Sequence, residues 1–94
     1  MTEKELRAIH KHSFMNRDEI NRSKMCGCFY CERIFPAYDL DSEDDFSDWG
    51  NTALCPYCGI DSVIGDASNI PLSKELLHEM YQYFFTKYQQ IKIL

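Results

Sequence analysis

Two cysteine pairs, Cys28-Phe29-Tyr30-Cys31 and Cys55-Pro56-Tyr57-Cys58, carry the clearest chemistry in this chain. Two thiols separated by two residues can close on one metal ion as a tight knuckle. Two such knuckles complete the tetrahedral four-sulfur shell that a structural zinc takes. Gly59 follows the second pair, where a sharp turn is needed for backbone amides to point at the sulfurs. The spacing therefore predicts Cys28, Cys31, Cys55 and Cys58 as ligands of a single Zn²⁺, with iron as the other metal a tetrathiolate accepts.

A second chemistry shares this spelling. Cys-Pro-Tyr-Cys is also the active-site sequence of the glutaredoxins, in which the first cysteine sits at a helix N-terminus that lowers its pKa. Here Gly59 disfavours a continuing helix, and only 36 residues follow Cys58, fewer than such an α/β domain needs. A redox dithiol is thus the weaker reading. In the first pair, Phe35 four residues after Cys31 matches the opening hairpin of many zinc fingers, where the aromatic packs beside the metal. Cys26 is left over as a spare or buried thiol, although its exchange with Cys28 in the ligand set stays open. The 23 residues between the pairs predict an excursion between the knuckles.

Other reactive side chains give less. His10 and His12 suit a catalytic base or a metal ligand, but a histidine near a helix end more often bonds a carbonyl or solvent, and two residues apart on a helix the two face different ways. Asp61 beside Ser62 could form half of a catalytic set; directly after a knuckle, these residues more often bond turn amides. Residues 39–49 hold six acids and no base, with Leu40, Phe46 and Trp49 interspersed. Such a run is usually a solvated loop, yet it also suits a protein-binding surface or an imitation of a phosphate backbone. It lacks the oxygen-ligand spacing and mid-loop glycine of a calcium site. Gly-rich phosphate loops, Gly-x-Ser-x-Gly elbows and His-Glu-x-x-His sites are absent from the sequence.

The elements that must position these residues are short. Thr2 with Glu5 spells a capping box for a helix over residues 3–12, with Leu6 and Ile9 as its apolar stripe. Asn16 with Glu19 repeats the arrangement, predicting a second helix over 17–24 with Phe14 and Ile20 as core anchors. Residues 26–38 read as the first knuckle and its hairpin, with Phe29, Tyr30, Ile34 and Phe35 alternating in strand fashion before Pro36. Residues 53–59 read as the second knuckle, followed by a short strand and turn over 60–66. Ser73 is a suitable N-cap for a long C-terminal helix, in which Leu77, Met80 or Tyr81, Phe84, Tyr88 and Ile91 recur at helical spacing. Leu76, Tyr83 and Phe85 widen that stripe and are available for a homodimer or partner contact. His78 falls near its polar side.

Composition limits the rest. Ninety-four residues suit one domain, 1–94, with a thin core that a metal clip would reinforce. The net charge is −5, divided as +2 over residues 1–25, −8 over 26–66 and +1 over 67–94. Nucleic-acid binders gain affinity by neutralising phosphates, so this balance argues against one. A charged N-terminus without an apolar run predicts no signal peptide, and no apolar stretch is long enough for a membrane span. A reducing cytoplasm is the expected compartment, where cysteine pairs are more often metal ligands than disulfides.

The combination Cys26-Gly27-Cys28-Phe29-Tyr30-Cys31, Ile34-Phe35, Trp49 and Ala53-Leu54-Cys55-Pro56-Tyr57-Cys58-Gly59-Ile60-Asp61-Ser62-Val63-Ile64-Gly65 resembles a group of small bacterial and phage-associated cytoplasmic proteins. The resemblance covers roughly residues 10–85 and implies a compact, zinc-ribbon-like domain in a bacterial or phage setting; it implies no activity. The expected architecture is α+β, a small zinc ribbon of two knuckles packed against N-terminal helical turns and a long C-terminal helix. The expected function is a non-enzymatic protein-binding or regulatory module. The alternatives are a nucleic-acid-mimicking inhibitor built on residues 39–48 and a small hydrolase-type enzyme using His10 or His12.

Overall fold

A computed structural model describes residues 1–87, and within them the chain is α+β, with three α-helices and two small antiparallel sheets. Helix α1 (Glu3–His10) begins at the predicted capping box. The Thr2 hydroxyl accepts from the Glu5 amide at 3.1 Å, and the Glu5 carboxylate accepts from the Thr2 amide at 3.0 Å, while Leu6 and Ile9 are buried. A 3₁₀ turn over Lys11–Ser13 ends α1, and α2 (Arg17–Asn21) follows after a bend, shorter than expected.

Two expectations for this corner are corrected. Phe14 is 63% exposed and anchors nothing in the core, whereas Ile20 is buried. Asn16 does not cap α2 with its side chain. Its buried amide instead donates to the carbonyls of His12 (2.8 Å) and Val63 (2.9 Å) and accepts from the Ala53 amide (3.0 Å). Satisfying distant buried backbone groups outweighs a local cap, because an unpaired buried polar group costs more than a frayed helix end.

The principal sheet has β1 (Met25–Cys28) at its centre, between β2 (Ile34–Pro36) and a later strand, β5 (Val63–Gly65), with both pairings antiparallel. In the excursion between the knuckles, β3 (Phe46–Ser47) and β4 (Thr52–Ala53) form a separate hairpin. Alternation along β1 divides the core. Cys26 and Cys28 face one side with Ile20, Phe35, Phe46, Ala53, Cys55 and Val63. Gly27 faces the other, where a side chain would press on Leu77, whose methyl carbons lie 3.1 Å from the position of an added Cβ. On that second side Leu6, Ile9, Phe29, Ile64, Leu77 and Met80 pack together.

Helix α3 (Lys74–Tyr81) starts as expected, with the Ser73 hydroxyl accepting from the Leu76 amide at 3.1 Å. It does not continue as a uniform α-helix, because Gln82–Lys87 form a π-helical turn. On this wider turn the Phe84 ring meets His10, Phe29 and Tyr83, and the Phe85 ring meets Phe29 and Tyr30. The aromatic surplus on this helix is therefore largely used within the chain. Tyr88 and Ile91 lie outside the described residues. Among the described residues no helix is long and apolar enough to cross a membrane.

Replacing Asn16 by alanine removes three hydrogen bonds at a buried position, two of them to backbone groups far along the chain. The expected loss is about 2–4 kcal/mol, measured as a lowered urea midpoint at unchanged slope. A loss within about 0.5 kcal/mol would mean that the corner is held by packing alone.

Candidate metal centre

The four predicted cysteines converge. The sulfurs of Cys28, Cys31, Cys55 and Cys58 all lie within 4.8 Å of one another, with Cys28–Cys58 at 3.6 Å and Cys31–Cys55 at 3.8 Å. A tetrahedron with metal–sulfur bonds of about 2.3 Å has sulfur–sulfur edges of about 3.8 Å, so the donor set fits a four-coordinate cation. None of the five cysteines is in a disulfide. Cys26 stands outside the group, which excludes its exchange with Cys28: it is fully buried, and burial followed by the negative charge of Asp66 pushes its thiol up to about 12.

The two knuckles repeat one backbone pattern. In the first, the Cys28 amide donates to the Arg33 carbonyl (2.9 Å) and the Glu32 amide to the Cys28 carbonyl (2.8 Å). In the second, the Cys55 amide donates to the Ile60 carbonyl (2.9 Å) and the Gly59 amide to the Cys55 carbonyl (2.8 Å). The residue after each second cysteine is left-handed, Glu32 at φ 64° and Gly59 at φ 81°. Only one of the two is a glycine, so the sequence marked this turn clearly once. The first knuckle belongs to the β1–β2 hairpin. The second differs from the self-paired hairpin expected of a ribbon, since β4 pairs with β3 and β5 with β1. It instead joins the two sheets.

Hydrogen-bond donors surround the sulfurs. Burial opposes ionisation of Cys28, but the Ser62 hydroxyl, 3.0 Å away, and the amides of Cys31 and Tyr30 outweigh it and bring this thiol below its ordinary value. Burial dominates at Cys55 and Cys58 and raises both, against amide donors from the second knuckle. A divalent cation reverses that balance, because each coordinated thiol gives up its proton. Ser62 was read from sequence as a turn residue. Its role as a buried donor to Cys28 depends on β5 lying beside β1, which no local spacing reveals.

The knuckles are also strapped to each other by side chains. The Tyr57 ring meets Phe35 edge-on at 5.5 Å, lies under the Arg33 guanidinium at 4.7 Å, and donates its hydroxyl to Asp39. Phe35 shares the core cluster of Cys28 and Cys55, as its spacing predicted.

The remaining candidates are separated from the sulfurs. Nδ1 of His12 lies 2.9 Å from the Glu19 carboxylate, and Nδ1 of His78 lies 3.2 Å from that of Glu32. His10 packs against Phe84 (4.3 Å between ring centres) and Phe29 (5.6 Å). Burial lowers the His10 pKa, and the nearby charge of Asp61 only partly offsets this. His10, Ser13 and Asp61 do line one cleft, of about 780 Å³. The Ser13 hydroxyl, however, donates to the His10 carbonyl at 2.7 Å, and no hydrogen bond joins His10 to Asp61 among the described residues.

Comparison with protein-family models, with curated proteins and with solved structures finds no match.

Gly59 gives a direct test of the knuckle geometry. A Cβ added there meets no atom within 4 Å, so Gly59→Ala carries a purely conformational penalty of about 1–2 kcal/mol for the left-handed backbone. The check is the thermal midpoint of metal-loaded protein, which should fall by several degrees without loss of metal stoichiometry. An unchanged midpoint would show that the turn tolerates a side chain, as Glu32 does.

Proposed function

We propose that this chain is a non-enzymatic protein-binding module, stapled by one structural zinc and presenting Trp49 as its binding anchor. Four thiolates close the coordination shell and leave no position for water or substrate, which favours a structural over a catalytic metal. Zinc is the ion that the donor set and its tetrahedral spacing suit best. The setting implied by the sequence resemblance, bacterial or phage-associated, is the one in which a partner should be sought.

The observation that carries the proposal is Trp49. It is fully exposed, at the tip of the β3–β4 hairpin. Asp48, Trp49 and Gly50 occupy three successive left-handed conformations, at φ 54°, 63° and 85°. For the first two residues this costs on the order of 1–2 kcal/mol each. Such a backbone persists only when its surroundings fix it, and here Arg17 does so. The Arg17 amide donates to the Asn51 carbonyl (2.9 Å) and its guanidinium to the Gly50 carbonyl (2.8 Å). The same guanidinium lies 4.3 Å from the Phe46 ring centre and is paired with Glu43 at 2.8 Å. A clamped turn removes the backbone-ordering cost of burying this indole in a partner, which favours Trp49 as an interface hot spot.

The acidic excursion fits this reading better than imitation of nucleic acid. Asp39 accepts from Tyr57, Glu43 pairs with Arg17, and Asp45 folds back onto the Ser42 amide. These contacts commit three of the six carboxylates to partners within the chain, although Glu43 itself remains exposed. Asp41, Asp44 and Asp48 stay exposed, so the partner should offer a basic rim around an apolar pocket for Trp49. The enzyme alternative is weakened by Ser13 and His10, whose groups are committed to a carbonyl and to aromatic stacking.

Two measurements test the proposal. Native mass spectrometry under reducing conditions should find one zinc per chain, and its removal by a chelator should abolish cooperative unfolding; a metal-free chain with an unchanged urea midpoint would refute the staple. Trp49 is the only tryptophan, so its emission reports the anchor alone. In the free protein it should be that of a solvated indole, open to acrylamide quenching. With a partner captured from bacterial lysate it should shift to the blue, and Trp49→Ala should weaken capture by about tenfold or more at unchanged stability. Capture that survives Trp49→Ala undiminished would remove Trp49 from the interface.

A further inference from the structure

We propose that the cleft between the end of α1 and the π-helical turn is a binding site for a small planar aromatic anion. Its volume, about 780 Å³, falls within the range of sites that enclose small molecules. Rings make up much of its lining. Phe84 packs on His10 with ring centres 4.3 Å apart, with Tyr83 edge-on to Phe84 at 4.8 Å. Phe14 also lines the cleft, 63% exposed and without a ring partner among the described residues. A planar ligand in the cleft would cover apolar surface that the fold leaves open at Phe14.

Two of the three charged side chains that line the cleft, Arg7, Lys11 and Asp61, are cationic, which favours an anionic ligand. In a chain of net charge −5, Arg7 and Lys11 both line this cleft. Arg7 is held in place, its Nε donating to the Tyr83 hydroxyl at 3.2 Å and its guanidinium paired with Glu3 at 2.9 Å. Lys11 is exposed and forms no ion pair among the described residues. An ammonium beside an aromatic slot is suited to a carboxylate, sulfonate or phosphate attached to a ring. The single carboxylate of the cleft, Asp61, accepts no hydrogen bond among the described residues, which leaves it able to accept one from a ligand N–H. Phe29, which supports the His10 and Phe84 rings, belongs to the first knuckle, and Asp61 follows the second. The cleft therefore stands on the same two turns as the metal centre, but it uses none of its sulfurs.

The test uses the full zinc-loaded chain and two dyes, 1-anilinonaphthalene-8-sulfonate and its uncharged counterpart N-phenyl-1-naphthylamine, with binding followed by calorimetry. The expected result is one sulfonated dye per chain, bound about tenfold or more tightly than the neutral dye. Lys11→Glu and Phe14→Ser should each weaken it by about tenfold, and Trp49→Ala should change it by less than about twofold. Lys11 and Phe14 project into solvent, so both variants should keep the parental urea midpoint and zinc content, which separates lost binding from lost folding. Equal affinity for both dyes would overturn the proposal. So would binding of several dyes per chain, or affinity unmoved by Lys11→Glu and Phe14→Ser in folded protein.

Discussion

The structure depends on bringing four sulfurs from two remote turns within bonding distance of one point. Each knuckle is locally complete, with a pair of backbone hydrogen bonds and a left-handed residue after its second cysteine. Neither can hold the other by those bonds alone. What joins them are contacts between the two turns, Tyr57 on Phe35 and Ser62 on Cys28, and the cluster of four sulfurs these contacts accompany, which could hold one ion. Because the second knuckle lies between β4 and β5, gathering the four sulfurs also ties the small β3–β4 hairpin to the principal sheet. In a chain this short, where core burial barely exceeds chain entropy, such a closure decides whether the two sheets dock.

Strand β1 makes the closure compatible with a core on both sides. Its alternation places Cys26 and Cys28 on the side of the sulfur cluster and leaves Gly27 facing Leu77. With no side chain at Gly27, α3 approaches the sheet closely enough for Leu77 and Met80 to be fully buried. Cys26 then has a plain role as a small apolar filler opposite Phe35 and Gly65, and its raised pKa is the consequence of that burial. The cysteine cluster and the helix thus pack on opposite faces of a single four-residue strand.

What could be read from the sequence follows the range of the interactions. The convergence of the four cysteines was legible because two-residue cysteine spacing is a local constraint, and so were the Thr2–Glu5 and Ser73 caps. Asn16–Glu19 has the same spelling as a capping box and misled, since Asn16 answers to Val63 and Ala53, both remote in sequence. Ser42 with Asp45 does form a capping box, and its Ser-x-x-Asp spelling was available but hidden in what looked like an undifferentiated acidic run. The left-handed turn at Glu32 carried no glycine to announce it. The strand order β2-β1-β5, the π turn and the Arg17 clamp all depend on which segments meet, and a single sequence does not contain that information in local form.

Arg17 shows how such a meeting bears on binding. A hairpin with two-residue strands has little intrinsic stability, and its tip would ordinarily sample many conformations. Here one side chain satisfies the Gly50 carbonyl, covers the Phe46 ring and pairs with Glu43, while its own backbone takes the Asn51 carbonyl. These interactions offset the strain of consecutive left-handed residues, so the backbone of the turn is held by α2 and not by the hairpin itself. Ile20 of α2 packs into the cluster that contains Cys28 and Cys55, linking the clamp to the cysteine core. The backbone that carries Trp49 is therefore tied, through Arg17 and Ile20 of α2, to the same buried layer that gathers the sulfurs.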